Sequence, residues 1–281
     1  MLFQSYVPRA PLCEFVEDFW QYQNYVSTHA RERILPSGTF EMVFNLQEDE
    51  LRIYGPSQSD VCRRFTGAVI SGPYAEAFMS DSAEEAAILG VHFKPGGASS
   101  ILGIPARELC NAHIDLHAIW GRTANTMREQ LSALRDPMDR FRLVEQTLLE
   151  RLSDPICRHG AVRRGLEILM RTHGRAKIRD IAKIVDLSRR RFIELFAAEV
   201  GVTTKLFGRL QRFQYAVAAA RRSSRVDWAQ LAIECGYSDQ SHLIHEFVEF
   251  SGVSPFDFWQ RQNRLACEGA HVKRNHLPLT D

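Results

Sequence analysis

Apolar and polar positions follow two different rhythms along this chain. In the first hundred residues the period is two. Thr39 to Leu46 alternates, with Phe40, Met42, Phe44 and Leu46 on one face, which predicts a half-buried strand. Pro36-Ser37-Gly38 supplies the turn before it. Leu51–Tyr54, Phe65–Ile70, Ala75–Met79 and Ala87–Phe93 read as further short strands, separated by turn signals at Gly55-Pro56, Gly72-Pro73 and Pro95-Gly96-Gly97. Strands at this spacing predict a sandwich or barrel-like β-rich domain over residues 1–120.

The period then becomes helical. Thr123 is expected to cap a helix carrying Met127, Leu131 and Leu134. Asp136-Pro137 reads as an N-cap followed by proline at the first helical position, with Phe141, Val144, Leu148 and Leu152 behind it. This helical linker, residues 121–158, has two readings: packing on the β domain, which is preferred, or pairing two subunits into a homodimer. Ser153-Asp154-Pro155 breaks the pattern, and a boundary is expected at about Asp154–Gly160. Residues 160–265 divide into about seven helical segments, and 266–281 form a tail. The predicted fold class is α+β, with an all-α C-terminal domain.

Within that domain the chain matches itself. Ile181-Ala182-x-x-x-Asp186-Leu187-Ser188 aligns with Leu231-Ala232-x-x-x-Gly236-Tyr237-Ser238 at an offset of 50. Phe192-Ile193-x-x-Phe196-x-x-x-x-Gly201-Val202-Thr203 aligns with Leu243-Ile244-x-x-Phe247-x-x-x-x-Gly252-Val253-Ser254 at an offset of 51. The second copy therefore has one extra residue just after its serine. Each copy fits a helix-turn-helix. Ala182 and Ala232 let two helices approach, and Asp186 and Gly236 tolerate a left-handed turn. Ser188 and Ser238 are expected N-caps of the second helix, and Gly201 and Gly252 its C-caps. Leu206, Leu210, Phe213 and Val217 give the connecting helix a buried stripe. A rigid connector would let both second helices enter successive major grooves, about 34 Å apart.

Charge agrees with this division. The chain of 281 residues has a net charge of only +1, yet residues 1–159 carry −6 and residues 160–265 carry +7. A basic helical half suggests a polyanionic partner. Hydrophobic residues at 45% and charged residues at 25% are ordinary globular values. No stretch is apolar enough to span a bilayer and no signal peptide opens the chain, so a cytoplasmic protein without membrane association is expected. Six scattered cysteines read as reduced thiols.

The run Ala232-x-x-x-Gly236-Tyr237-Ser238-Asp239-Gln240-Ser241-His242-Leu243-x-x-x-Phe247, then Gly252-Val253-Ser254-Pro255 and Phe258, resembles the DNA-binding domain of the AraC/XylS family of bacterial transcription regulators. The resemblance covers Ala161–Arg264 and implies seven helices, of which Ala161–His173 is the first. It also implies a double-stranded DNA operator as partner, with RNA polymerase as a further one. Thr204 stands where the family often has proline, and Ile244-His245-Glu246 where an arginine is frequent. Stretches Ile34–Gly38 and Gly90–Gly97 resemble effector-side domains of an uncharacterised subgroup, which implies a small-molecule effector.

Periodicity sorts the DNA-facing residues from the core. In the first recognition helix Phe192, Leu195 and Phe196 face inward, while Arg190, Glu194 and Ala197 face out, with Arg191 on the flank. Arg190 could contact guanine and Glu194 could accept from cytosine. The alternative is that this pair only bridges on a solvated face. Arg189, Arg191, Lys205, Arg209 and Arg212 are expected at phosphates, and Ser188 at the helix start. In the second helix Leu243, Phe247 and Phe250 are core, and Ser241, His245 and Glu249 face out with His242 beside them; Ser238, Gln240, Ser241, His242 and His245 are the contact candidates. The first helix, Ser188 to Glu199, carries +1 and the second, Ser238 to Ser251, −3. The first is therefore expected to supply most of the affinity, and protonation of His242 and His245 to tighten binding.

Other chemistry is sparse. His113-x-Asp115-x-His117 has no third ligand at metal spacing and is not read as a metal site. His92 reads as an ordinary strand residue. No phosphate loop, nucleophile elbow or catalytic cysteine pattern occurs, so neither cofactor nor catalysis is expected. The competing reading is a β-barrel enzyme fused to a DNA-targeting module.

Overall fold

Short alternating strands cannot satisfy their backbone alone, and here they pair into two antiparallel sheets. The computed structural model describes residues 2–24, 30–55, 61–81, 87–152, 159–267 and 275–278. The first half contributes β1 (Leu2–Tyr6), β2 (Val16–Gln23), β3 (Arg31–Ile34), β4 (Glu41–Asn45), β5 (Glu50–Tyr54), β6 (Cys62–Thr66), β7 (Ala68–Ser71), β8 (Phe78–Asp81) and β9 (Ala87–Phe93). After a short helix, α1 (Ser99–Leu102), come β10 (His113–Asp115), α2 (Leu116–Trp120), α3 (Arg122–Ala133) and α4 (Pro137–Arg151). One sheet has the order β1-β2-β9-β4-β7-β10. The other has β3-β8-β5-β6, and a strand from the far end of the chain, β11 (His276–Pro278), pairs with the edge of β3.

The two sheets form a sandwich rather than a closed barrel. Trp20, Tyr22, Leu51, Ile53, Phe65, Val69 and Ile88 fill the space between them. The other face of the larger sheet presents Phe19, Met42, Phe44, Ile70 and Val91 to Met127, Leu131, Phe141, Val144 and Leu148 of α3 and α4. The helical linker thus packs on its own β-sheet.

Several local readings change. Phe65–Ile70 is two strands, because the chain crosses from one sheet to the other at Gly67. A β-carbon there would lie 2.2 Å from Arg128 Nε, which instead donates to the Asn45 carbonyl at 2.8 Å. The Ala75–Met79 strand begins later, at Phe78, because the Ala77 N–H is bonded to Phe250 O at 3.1 Å. Thr123 lies inside α3, whose cap position is Gly121. Asp136 caps α4 by accepting from Met138 N at 2.8 Å, as expected. The break at Ser153-Asp154-Pro155 lies outside the described residues, as does most of the boundary placed near it.

Register places Asp18, His92, Glu41, Ser71 and His113 in one row across five strands. His92 is no ordinary strand residue: Nδ1 is 2.8 Å from Asp18 and Nε2 is 2.9 Å from Glu41. Burial alone would lower its pKa, but Glu41 and Asp18 outweigh burial and raise it to about 9. His113 is the reverse. Burial, then the nearby Arg63, lowers its pKa to about 3, and Nδ1 is bonded to Ser71 Oγ at 2.8 Å.

The two histidines therefore oppose each other in pH dependence. The His92 contribution, up to about 3 kcal/mol, is complete below about pH 6.5 and disappears as pH rises through about 9. The His113 contribution is present above about pH 6.5 and erodes as pH falls toward 3. Melting of His92→Gln beside the parent from pH 6 to 10 checks the first claim. The gap should close at the alkaline end, and a constant gap would contradict it.

Candidate nucleic-acid interface

Seven helices follow: α5 (Gly160–Arg171), α6 (Ile178–Ile184), α7 (Arg189–Val200), α8 (Thr204–Arg222), α9 (Trp228–Cys235), α10 (Gln240–Ser251) and α11 (Pro255–Cys267). The internal repeat becomes two copies of one backbone device. Asp186 and Gly236 take φ of 53° and 83°, and the next residue's N–H bonds back to the paired alanine. These bonds are Leu187 N to Ala182 O at 3.0 Å and Tyr237 N to Ala232 O at 2.9 Å. Gly201 and Gly252 end α7 and α10 in the left-handed conformation. The 19-residue α8 is about 28 Å long at the helical rise. It joins both cores, Phe207 in the first and Leu210, Phe213 and Val217 in the second.

The N-terminal caps differ. Ser188 accepts from Arg191 N at 3.2 Å, as expected. Ser238 does not cap α10. Asp239 does, accepting from His242 N at 2.8 Å, while Ser238 Oγ contacts Asp239 and His242 Nδ1. The extra residue of the second copy shifts the cap one place along.

The outward faces are open. Arg189, Arg190 and Arg191 are exposed, Arg190 at 90%, and Arg190 Nε donates to Glu194 at 2.9 Å across one helical turn. Lys205, Ser238, Gln240, Ser241, His242 and His245 are also exposed. Arg209 and Arg212, expected at phosphates, are drawn inward. Arg209 Nε lies 2.6 Å from Glu246 and Nη2 2.5 Å from Glu249, and Arg212 Nη2 lies 3.4 Å from Glu246. The −3 of the second helix is therefore largely taken up internally, by three ion pairs and one cap.

Between the two units runs a groove of about 710 Å³. Its floor is α8, with Lys205, Arg209 and Arg212. Arg189 stands on one side, and His242, His245 and Glu249 on the other. Arg175, Lys177 and Arg179 also line it. The repeat gave these three no prominence, because they precede the first copy; the signal was the density of cations between Arg171 and Lys183.

The groove is not isolated from the sandwich, which holds both recognition helices by their C-terminal caps. A β-carbon on Gly201 would lie 2.9 Å from Ala106 O and 3.0 Å from Pro73 Cγ. At the other cap, Arg33 Nη1 donates to Ser251 O at 2.8 Å, beside the Ala77–Phe250 bond. Strand β11 adds a third tie: its Leu277 is buried in the second core, and Arg221 of α8 donates to His276 O at 3.2 Å. The sequence signalled none of these contacts.

His113, Asp115 and His117 do not converge. His113 is buried in β10, Asp115 accepts from Thr66, and His117 is exposed on α2. Among the described residues no group of three or more His, Cys, Asp or Glu could hold a metal ion. Cys13, Cys62, Cys110 and Cys235 are free thiols, while the side chains of Cys157 and Cys267 lie outside the described residues. No described helix is long and apolar enough to cross a membrane.

Residues 181–261 match the family described as Helix-turn-helix domain, and residues 4–115 match one described as Domain of unknown function (DUF6597). No curated protein matches the chain. Among solved structures, an apo variant of ToxT from Vibrio cholerae is similar at 11% identity and a TM-score of 0.48, covering 86% of this chain and 97% of that one. Unsaturated fatty acid bound ToxT from the same organism is similar at 10% identity and a TM-score of 0.43, covering 92% and 94%. An AraC-type DNA-binding domain-containing transcriptional regulator from Chromobacterium violaceum is similar at 18% identity and a TM-score of 0.34, covering 37% and 92%. The two helix-turn-helix copies of the internal repeat thus fall within residues that match a helix-turn-helix domain, 181–261.

Proposed function

We propose that the chain is a sequence-specific transcription regulator whose N-terminal sandwich sets how two recognition helices are presented to an operator, under control of a small molecule. The observation that carries this reading is the grip of the sandwich on the caps after Val200 and Ser251. Anything that shifts the sandwich shifts both helices together. Arg189, Arg190 and Arg191 on α7, with Lys205 beside the groove, supply the cations for phosphate and base contact. Ser188 lies at the start of that helix. On α10, the exposed Gln240, Ser241, His242 and His245 supply neutral donors and acceptors, with Ser238 just ahead of them. Double-stranded DNA is the partner, acting in the cytoplasm, and RNA polymerase is a further contact of the bound regulator.

Selection of bound DNA by the purified protein tests this directly. With the selected operator, Arg190→Ala should weaken binding by roughly tenfold or more, the scale of about 1–3 kcal/mol for a guanine-reading arginine. His245→Ala should cost less. Equal or reversed losses in a titration at fixed salt would remove the asymmetry between the two helices. Failure to select any sequence would remove the regulator reading itself.

A further inference from the structure

A cavity of about 300 Å³ opens beside the smaller sheet, against the loop that joins β7 to β8. Its walls are largely aromatic. Tyr74 stacks on the His113 imidazole with centroids 4.4 Å apart, Phe78 meets that ring edge-on at 4.5 Å, and Tyr54 closes another side. The imidazole is buried and neutral, and it backs Tyr74, whose ring lies flat against it. Arg63 also lines the cavity, and among the described residues no carboxylate pairs with it. Its guanidinium lies 5.4 Å from the Phe65 ring centre, and its field reaches both His113 and Tyr74. One acid, the exposed Glu76, and Asn111, whose Oδ1 accepts from Ala75 N at 2.8 Å, complete the polar lining.

The same wall touches the DNA-binding half. The loop over residues 72–77 carries Tyr74 and Glu76 into the cavity. It also carries Pro73 to the Gly201 cap and Ala77 to Phe250. A ligand that displaces Tyr74 therefore acts on a segment in contact with the ends of both recognition helices.

We propose that this cavity binds a one- or two-ring aromatic carboxylate, its ring against Tyr54, Tyr74 and Phe78 and its carboxylate on Arg63, and that occupancy alters DNA affinity through the 72–77 loop. Ring stacking matches the lining and the volume suits a small ring system. The guanidinium is the natural fork for a carboxylate. The proposal rests on the regulator reading, and DNA binding without any added acid tests that reading separately.

Calorimetric titration of the full chain with benzoate and 1-naphthoate, and with 1-naphthamide as the uncharged control, tests the site. At least one acid should bind saturably and at least tenfold more tightly than the amide. Arg63→Ala should remove that preference, Arg64→Ala on the same strand should leave it, and Glu76→Gln should keep or strengthen it. The acid should also change operator affinity at least threefold in the parent and not in Arg63→Ala. Absence of saturable binding, or binding that is lost in Glu76→Gln and kept in Arg63→Ala, overturns the site. Acid binding without any change in DNA affinity overturns the coupling.

Discussion

Gly174→Ala is expected to destabilise the helical half by about 3 kcal/mol or more, lowering its melting temperature by roughly 10 °C. Two independent costs act there. Gly174 has φ of +72°, a left-handed conformation that charges an alanine about 1 kcal/mol. The new β-carbon would also lie 1.9 Å from Gly208 O and 2.7 Å from Gly208 C, atoms of the α8 backbone. Backbone cannot rotate aside as a side chain can, so α8 must move. That helix belongs to both cores, and a shift at Gly208 reaches Phe207 on one side and Leu210 on the other. Gly160→Ala is the control, because no atom lies within 4 Å of its β-carbon position. A Gly174→Ala protein melting within a degree or two of the parent would show that the contact between the two glycines is not tight. DNA affinity should fall with stability, since the spacing of the two recognition helices is fixed by α8.

What the sequence made legible was local. The repeat, the left-handed positions at Asp186 and Gly236, and the cap glycines each leave a mark on one short stretch, because each is a backbone demand met by a particular residue. The strand Glu41–Asn45 was visible for the same reason, its alternation serving one buried face. Partnerships between distant segments left no such mark. Arg31-Glu32-Arg33-Ile34 carries three charges in four residues, yet it is a strand. Glu32 pairs with His276 at 2.5 Å and Arg33 reaches Ser251 O. Two of its charges are met by partners more than two hundred residues away, and the third, Arg31, by Asp81 at 3.4 Å. His92 reads as ordinary until register sets Asp18 and Glu41 on either side of it. The residues proposed to face DNA fall between these cases. Their exposure follows from helical period, but the diversion of Arg209 and Arg212 into ion pairs depends on how α8 and α10 cross.

That crossing is the basis of the other large effect expected, from Glu246→Ala. Glu246 is only 5% exposed and is the shared acceptor of Arg209 and Arg212. Both guanidinium groups are mostly buried, Arg209 over the Phe250 ring at 4.8 Å and Arg212 over Tyr237 at 5.5 Å. Removing the carboxylate leaves them in a poorly solvated setting with their shared counter-charge gone, although Glu249 still reaches Arg209. Breaking a buried pair from one side costs about 3–5 kcal/mol, and Glu249 should hold the loss near the lower end. Glu246→Gln keeps the shape and one acceptor, so it should cost clearly less. The internal repeat gives an independent reason to expect a structural effect: the equivalent of Glu246 in the first unit is Leu195, which packs against the first core. The position faces inward in both copies, once as an apolar contact and once as an ion pair. Glu246→Ala should therefore lower thermal stability and weaken binding to every operator variant by a similar factor. A protein with unchanged melting but altered base preference would instead make Glu246 a reader of DNA, and α10 would have to be rotated to present it.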